Sequence, residues 1–355
     1  MTPVAVHESY PYFGISSVCY AAVPVGARRG SFTAMRAIVH TGAGDISVLK
    51  LTDVETPTAG SRQIQVRVRA SALNRADILQ RRGRYPAPPG WPADIPGLEY
   101  SGEVSALGAG ATRWRAGDRV MGLVGGGAHA EYVVVHEDEA LAIPPGMSSS
   151  DAAAIPEAFL TAWDALVSRG RLAAGERVLI HAVGSGVGTA AVQLARQLGA
   201  RSVGTSRKPD KLARALALGL DEGIDTSTAG FRDRLSAPVN VVLDVLGGPA
   251  FADNLEVLAP RGRLVLLGFL QGSKAEVNLE PMLRKRLEVI GSVMRTRALE
   301  ERIPLVAGFS QQVLPWFAAG QLGPIVGATY PMADIASAHA AMERDENFGK
   351  IVLTW

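Results

Sequence analysis

The sequence predicts an α/β protein in which a small antiparallel β-barrel carries an inserted, doubly wound parallel sheet. Three observations predict it. Strands that alternate polar and apolar residues fill the region before residue 145, strands and helices alternate from Arg177 to about Ser292, and strand signals without the parallel pattern return near the C-terminus.

The parallel part is organised around Arg177-Val-Leu-Ile-His-Ala-Val-Gly-Ser-Gly-Val-Gly-Thr-Ala-Ala-Val-Gln-Leu-Ala-Arg196. Its first apolar residues read as a strand buried on both faces, and a glycine-dense turn follows. Val187, Ala190, Ala191, Leu194, Ala195 and Leu198 then recur at helical spacing, and Gly199 closes the helix. Glycines 184, 186 and 188 let backbone N–H groups approach a ligand, and the helix start adds a positive dipole end. A pyrophosphate is the expected guest, with Gly184, Ser185, Gly186, Val187 and Gly188 as its cradle. The G-x-G-x-x-G pattern is missed by one place, since the third glycine is Gly188 and Thr189 follows; a plain tight connection would use the same residues.

The next strand, Ser202–Ser206, bears on that choice. About twenty residues past the turn an NAD site carries Asp or Glu for the ribose 2′-hydroxyl. This chain has Ser206, Arg207 and Lys208 there, with Lys211 one helical turn on. A hydroxyl and three cations suit a 2′-phosphate, and cations at a helix start oppose its dipole, which favours an anionic partner over a merely solvated helix end. NADP(H) is the expected cofactor.

Three more strands, Val239–Val245, Arg263–Phe269 and Leu287–Val293, with helices after Pro209 and Gly248, complete a cofactor domain over residues 156–299. Ahead of it, Met35–His40 and Gln63–Ala70 read as strands. The second puts Ile64, Val66, Val68 and Ala70 on one face and Gln63, Gln65, Arg67 and Arg69 on the other, as an antiparallel sheet with one wet face requires. Tyr100–Ser105, Arg119–Val124 and Glu131–Val135 continue at barrel spacing, and Pro144-Pro145-Gly146 ends the series before an Ala-rich helical stretch towards Leu166. Past Pro304, a helix around Phe309–Ala319, a strand Gly327–Tyr330, a helix Ala333–Glu343 and a strand Lys350–Trp355 return to the barrel. Residues 35–155 and 300–355 therefore form the expected catalytic domain. Residues 1–34 have no period and no secretory core, and read as a mobile leader or as an over-long start ahead of Met35, where the folded domain is expected to begin.

Composition narrows the function. Charged residues are 20% of 355 and the net charge is +2, which argues against nucleic acid as the main partner. No apolar run is long enough to span a membrane. A single cysteine, Cys19, excludes an internal disulfide framework and a multi-cysteine zinc site, so a cytoplasmic setting is expected.

Asn74-Arg-Ala-Asp77, Gly97-Leu-Glu-Tyr-Ser-Gly102, Ala116-Gly-Asp-Arg-Val120, His181–Gly188 and Gly349-Lys-Ile-Val352 together resemble the medium-chain dehydrogenase/reductase superfamily over Met35–Trp355. Within it they resemble the zinc-free quinone oxidoreductase branch that includes zeta-crystallin and the tumour-suppressor-inducible quinone oxidoreductase. The resemblance implies a GroES-like β-barrel catalytic domain with an inserted Rossmann-type domain. The zinc alcohol dehydrogenases of the superfamily place a cysteine where this chain has Asn74 and a histidine where it has Leu98, so no catalytic zinc is expected. Without a Lewis acid, an electron-poor acceptor is far easier to reduce than an alcohol is to oxidise.

The resemblance carries over Asn74, Asp77 and Tyr85 as catalytic-site residues at the nicotinamide end, and Thr161, Leu246, Gly268, Phe269, Leu270, Phe348 and Lys350 as further cofactor contacts. Asn74 and Asp77 would equally cap a helix, and Tyr85 would equally be loop packing. The expected activity is NADPH-dependent quinone reduction, in a homodimer joined through strands near Lys274–Leu279 and Leu287–Val293. A double-bond reductase acting on enones or enoyl thioesters is the alternative, with Arg75, Arg81, Arg82 and Arg84 as a basic entrance. A non-catalytic binding role is a third. His129, His181 and His339 are scattered and are expected in core or surface roles, not on a metal.

Overall fold

A computed structural model describes residues 33–355 of the chain. The leader expected over 1–34 lies outside the described residues except at its last two, where the first strand already begins at Ala34.

Strands β1 (Ala34–His40) and β2 (Leu49–Glu55) form an antiparallel hairpin, and β3 (Gln63–Leu73) leads into helix α1 (Arg75–Arg81). Next come β4 (Glu99–Leu107), β5 (Arg119–Leu123), β6 (Tyr132–His136) and β7 (Ala140–Ala142), then helices α2 (Ser149–Ala153) and α3 (Pro156–Trp163). The parallel part runs β8 (Arg177–Ile180), α4 (Gly186–Gln197), β9 (Arg201–Ser206), α5 (Pro209–Leu218), β10 (Glu222–Asp225), β11 (Val239–Asp244), α6 (Ala250–Val257), β12 (Leu258–Leu266), α7 (Glu280–Lys285) and β13 (Glu288–Gly291). Helices α8 (Leu299–Gln312) and α9 (Leu314–Ala318), strand β14 (Val326–Pro331), helix α10 (Ile335–Glu343) and strand β15 (Lys350–Thr354) close the chain.

Sheet order explains the insertion. The parallel sheet runs β10-β9-β8-β11-β12-β13, so the chain reverses direction across the sheet at β8, between β9 and β11. That reversal opens a crevice at the carboxyl ends of the strands, where the Rossmann fold takes its ligand. The second sheet runs β14-β15-β3-β4-β5-β7 with β6 also on β3, so the C-terminal strand lies beside a strand from the N-terminal third. Leu73 faces Ile351 and Ala72 faces Val352 in that antiparallel pair.

The β3 alternation holds as far as Ala70: Ile64, Val66, Val68 and Ala70 are buried and Arg67 and Arg69 exposed. Beyond it Ser71, Ala72 and Leu73 are all buried, because β15 and α2 cover this end. Two expectations are corrected, and the sequence pattern leaves strands such as β2 and β10 unmarked. Strand β10 was missed, since in Glu222-Gly-Ile-Asp225 only Ile224 is buried and the pattern is too short and polar to read. The outer strand β2, mostly exposed, was missed for the same reason. Helix α8 starts at Leu299 and contains Pro304, whose ring removes one backbone donor near the start of the helix without ending it. Lys274–Leu279 forms no strand within the chain, and the sheet ends on this side at β13.

Candidate active site

The glycine turn leaves β8 at the crevice. Ala182 takes a left-handed conformation, φ +50°, and the Ser185 hydroxyl caps α4 by accepting from the Gly188 N–H at 3.0 Å. Each glycine has its own reason. A Cβ on Gly188 would sit 2.6 Å from the Val183 carbonyl oxygen, so the turn itself excludes a side chain there. At Gly184 and Gly186 the neighbours are lysine stems, with Lys211 Cδ 2.7 Å and Lys350 Cδ 2.5 Å from such a Cβ. The C-terminal segment is fastened alongside: Gly349, at φ +77°, donates its N–H to the Gly184 carbonyl at 2.9 Å.

Lys350 spans the crevice. Its stem lies on Gly186, and its ammonium donates to the Leu73 carbonyl at 3.1 Å and Asn74 Oδ1 at 2.5 Å while pairing with Glu99 Oε1 at 2.7 Å. Asn74 Nδ2 donates to the same Glu99 oxygen at 2.9 Å. Asn74 and Asp77 also form the expected cap of α1, with the Asn74 N–H on Asp77 Oδ2 at 2.7 Å. The other Asp77 oxygen accepts from the Gly97 N–H at 3.1 Å. Burial pushes the Asp77 carboxyl up to about 6 despite these donors and the nearby Lys350 and Arg295 cations.

Two residues that the sequence did not single out complete this end. Arg295, from the loop after β13, donates to the Gly125 carbonyl at 2.7 Å, the Tyr85 carbonyl at 2.9 Å and Gln80 Oε1 at 2.6 Å. Its guanidinium stands 4.9 Å from the centre of the Tyr85 ring. Tyr85 is half-buried, and burial pushes its phenol up to about 12. Glu157, in the first turn of α3, donates its N–H to Glu99 Oε2 at 2.8 Å, and burial followed by the Glu99 charge pushes its own carboxyl up to about 7. No sequence motif marks either residue; only the packing of distant segments brings them in.

Thr161, one turn beyond Glu157, is buried and its Oγ1 has no hydrogen-bond partner among the described residues. The loops after β11 and β12 are knitted by Leu270 N–H to the Val245 carbonyl at 3.0 Å and Gln271 N–H to the Leu246 carbonyl at 2.8 Å. That brings Leu246 and Gly268 together and leaves Phe269 and Leu270 exposed, at 57% and 53%. At the other end Ser206 closes β9, its hydroxyl accepting from the Lys208 N–H at 3.0 Å, and Arg207 is exposed. Lys211 is buried and paired with Asp345 at 2.8 Å. Phe348 lies in the core beneath the Arg214 guanidinium, 4.1 Å from the ring centre. Of the four arginines expected at a basic entrance, Arg81 is buried, and it and Arg82 both donate to Glu343 Oε1 at 2.6 Å, while Arg84 is exposed. His129, His181 and His339 are fully buried; His181 lies between Thr205 Oγ1 and Asn254 Oδ1.

Comparison with known proteins decides the family. The alcohol dehydrogenase GroES-like domain family matches residues 60–145, and the zinc-binding dehydrogenase family matches residues 186–309. A human protein, the synaptic vesicle membrane protein VAT-1 homolog, is 32% identical over 341 residues, covering 90% of this chain and 86% of that one. The chain belongs to the medium-chain dehydrogenase/reductase superfamily. Another relative, a phthioceranic/hydroxyphthioceranic acid synthase of Mycobacterium tuberculosis, is 33% identical over 330 residues, but the chain spans only 15% of its length. Among solved structures, a quinone oxidoreductase of Pseudomonas syringae matches with TM-score 0.82 and 30% identity, over 91% of this chain and all of that one.

Membership brings a nicotinamide cofactor, and the residues present fit one. The turn offers the N–H groups of Gly186 and Val187, which no preceding helical carbonyl can take, and Thr161 offers an unpartnered hydroxyl. A zinc ion does not fit the cluster of this medium-chain enzyme. Asn74 and Leu98 are not thiolate or imidazole ligands, and the position between Asn74 Oδ1 and Glu99 Oε1 is held by an ammonium. Among the described residues no group of three His, Cys, Asp or Glu side chains is placed to bind a metal.

Proposed function

We propose that this medium-chain oxidoreductase is a zinc-independent, NADPH-dependent quinone reductase. The observation that carries the proposal is the Lys350 ammonium bound between Asn74 and Glu99, which leaves the site no place for a Lewis acid to act on an alcohol. An electron-poor acceptor needs only orientation and a donor to its developing oxyanion. When bound, the cofactor supplies the hydride.

The protein's own residues do the rest. Gly184, Ser185, Gly186, Val187 and Gly188 hold the pyrophosphate, and the Lys350 stem, lying on Gly186, borders the cofactor there. Thr161, Leu246, Gly268, Phe269 and Leu270 border the nicotinamide, while Phe348 keeps the C-terminal segment in place from the core. Ser206, Arg207 and Lys211 take the 2′-phosphate, and no carboxylate from β9 opposes it. Asn74, fixed through its backbone by Asp77 and through its amide by Glu99 and Lys350, borders the acceptor end, and the Tyr85 ring, steadied by Arg295, offers a flat face for a quinone. Two chains pair across β13, the sheet edge, next to Leu279 and Leu283, which are 64% and 81% exposed.

The test is NADPH oxidation followed by absorbance against an ortho-quinone, a para-quinone, an enone, an enoyl thioester and, in reverse, a primary alcohol. Turnover led by the quinones supports the proposal; turnover led by the enone or thioester replaces it with double-bond reduction. Light scattering at micromolar concentration tests the dimer, and a monomer mass refutes it.

A further inference from the structure

Asp77, Glu99 and Glu157 bring three carboxyls to one place, and only Glu157 is uncommitted. Both Asp77 oxygens accept backbone N–H groups, from Asn74 and Gly97. Both Glu99 oxygens are engaged, one by Asn74 Nδ2 and the Lys350 ammonium, the other by the Glu157 N–H. The Glu157 carboxyl accepts no well-formed hydrogen bond from a described residue, and the residue is half-buried where Asp77 and Glu99 are fully buried. Facing it are Glu99 and Asp77, which repel its negative form, Lys350, which attracts it, and Thr161, one helical turn away, which favours it slightly. Tyr85 and Arg295 also feel its charge, so Glu157 belongs to the same cluster as the Tyr85 ring.

Two cations, Lys350 and Arg295, cannot neutralise three buried carboxylates, so one carboxyl retains its proton, and the one with the fewest hydrogen-bond donors does so at least cost. Burial and the neighbouring Glu99 hold Glu157 at about 7, whereas the Tyr85 phenol is pushed up to about 12. A proton donor works best with its pKa near the operating pH.

We propose that Glu157 is the proton donor of the reduction; this rests on the quinone-reductase proposal. The quinone takes a hydride, two electrons and one hydrogen, from the reduced nicotinamide, and the oxygen left negative takes the Glu157 proton. The carboxyl O–H bond breaks as the hydroquinone O–H bond forms. Glu157 is left as a carboxylate near the Lys350 ammonium, and a proton from solvent restores it before the next turnover. With an enone the same proton would go to the carbon next to the carbonyl.

Infrared titration of the whole protein, wild type against Glu157→Gln, is expected to show one carboxyl that titrates near neutrality and vanishes in the variant. In single-turnover assays with NADPH and a para-quinone, Glu157→Gln is expected to lower kcat about 100-fold and to flatten the pH profile near neutrality, with NADPH affinity unchanged. Glu157→Asp restores part of the rate and of the profile, which a purely structural role would not do. Undiminished kcat in Glu157→Gln, or a Glu157 that titrates in the ordinary carboxylate range, overturns the proposal. Wild-type turnover of enones alone refutes the quinone proposal instead, and the same variants then decide the proton donor on that substrate.

Discussion

The Lys350 ammonium lies 2.7 Å from Glu99 Oε1, and both side chains are buried, at 5% and 0% exposure. One comes from the last strand and the other from β4, so this pair joins the C-terminal return to the barrel at the point where the glycine turn meets it. An ion pair in this position contributes more to specificity of arrangement than to net stability, but breaking it leaves a buried charge unpaired.

Lys350→Met should therefore destabilise the protein by roughly 3–5 kcal/mol in urea unfolding, and adding Glu99→Gln should recover part of the loss. A single-variant loss below about 1 kcal/mol would contradict the account of a buried pair whose breaking leaves a charge unpaired.

The glycines should separate by what they touch. Gly188→Ala drives a methyl into the Val183 and Ala182 carbonyls, which cannot yield, and should lower the melting temperature clearly. Gly186→Ala crowds the flexible Lys350 stem and touches Ala158 only at an ordinary 3.8 Å, so its melting temperature should fall less while cofactor affinity drops. Differential scanning fluorimetry with and without NADPH distinguishes them; equal melting temperatures in the two variants would contradict the assignment.

The chain's architecture was legible where periodicity was strong. The β3 alternation and the twenty residues from Arg177 foretold one strand of the barrel and the centre of the parallel sheet, because burial on one face or on both imposes those patterns directly. Strands β2 and β10 carry too few buried side chains to leave a pattern. Asn74 and Asp77 were visible as a local cap. Arg295 and Glu157 were not, since each reaches the site only through tertiary contacts with residues such as Gln80 and Glu99, far away in sequence. The Asp345 partner of Lys211 was hidden for the same reason.

That partner yields a cofactor prediction. Asp345 occupies the Lys211 ammonium that a 2′-phosphate would need, and it also carries the carbonyl that accepts from Lys208 at 2.5 Å. Asp345→Asn should tighten NADPH several-fold without helping NADH, and Lys211→Ala with Arg207→Ala should weaken NADPH far more than NADH. Calorimetric titration of both cofactors checks this, and equal changes for the two would remove the phosphate assignment.

Acid should expose the buried histidines. Burial lowers His129 and His339 to about 3, below the ordinary value of 6.5 that each regains on unfolding. The unfolded chain thus binds protons that the native state refuses, and stability that is complete above pH 6.5 is lost progressively as pH falls towards 3. Asp77 and Glu157, with raised values, oppose this over part of the same range, so the comparison must be made within one residue. In His129→Leu, the slope of unfolding free energy against pH between 6.5 and 4 should fall by about one proton; an unchanged slope would refute the burial account.

The most direct test of the central claim is a single turnover. NADPH-loaded protein is mixed with a para-quinone in a stopped-flow cell, with nicotinamide absorbance and hydroquinone formation recorded together, and the run is repeated with NADPH carrying deuterium at C4. Hydride transfer to a quinone predicts equal amounts of cofactor consumed and hydroquinone formed, at a rate slowed by the label. Cofactor that persists beside the quinone yet decays with an enone, or decay indifferent to the label, would contradict it.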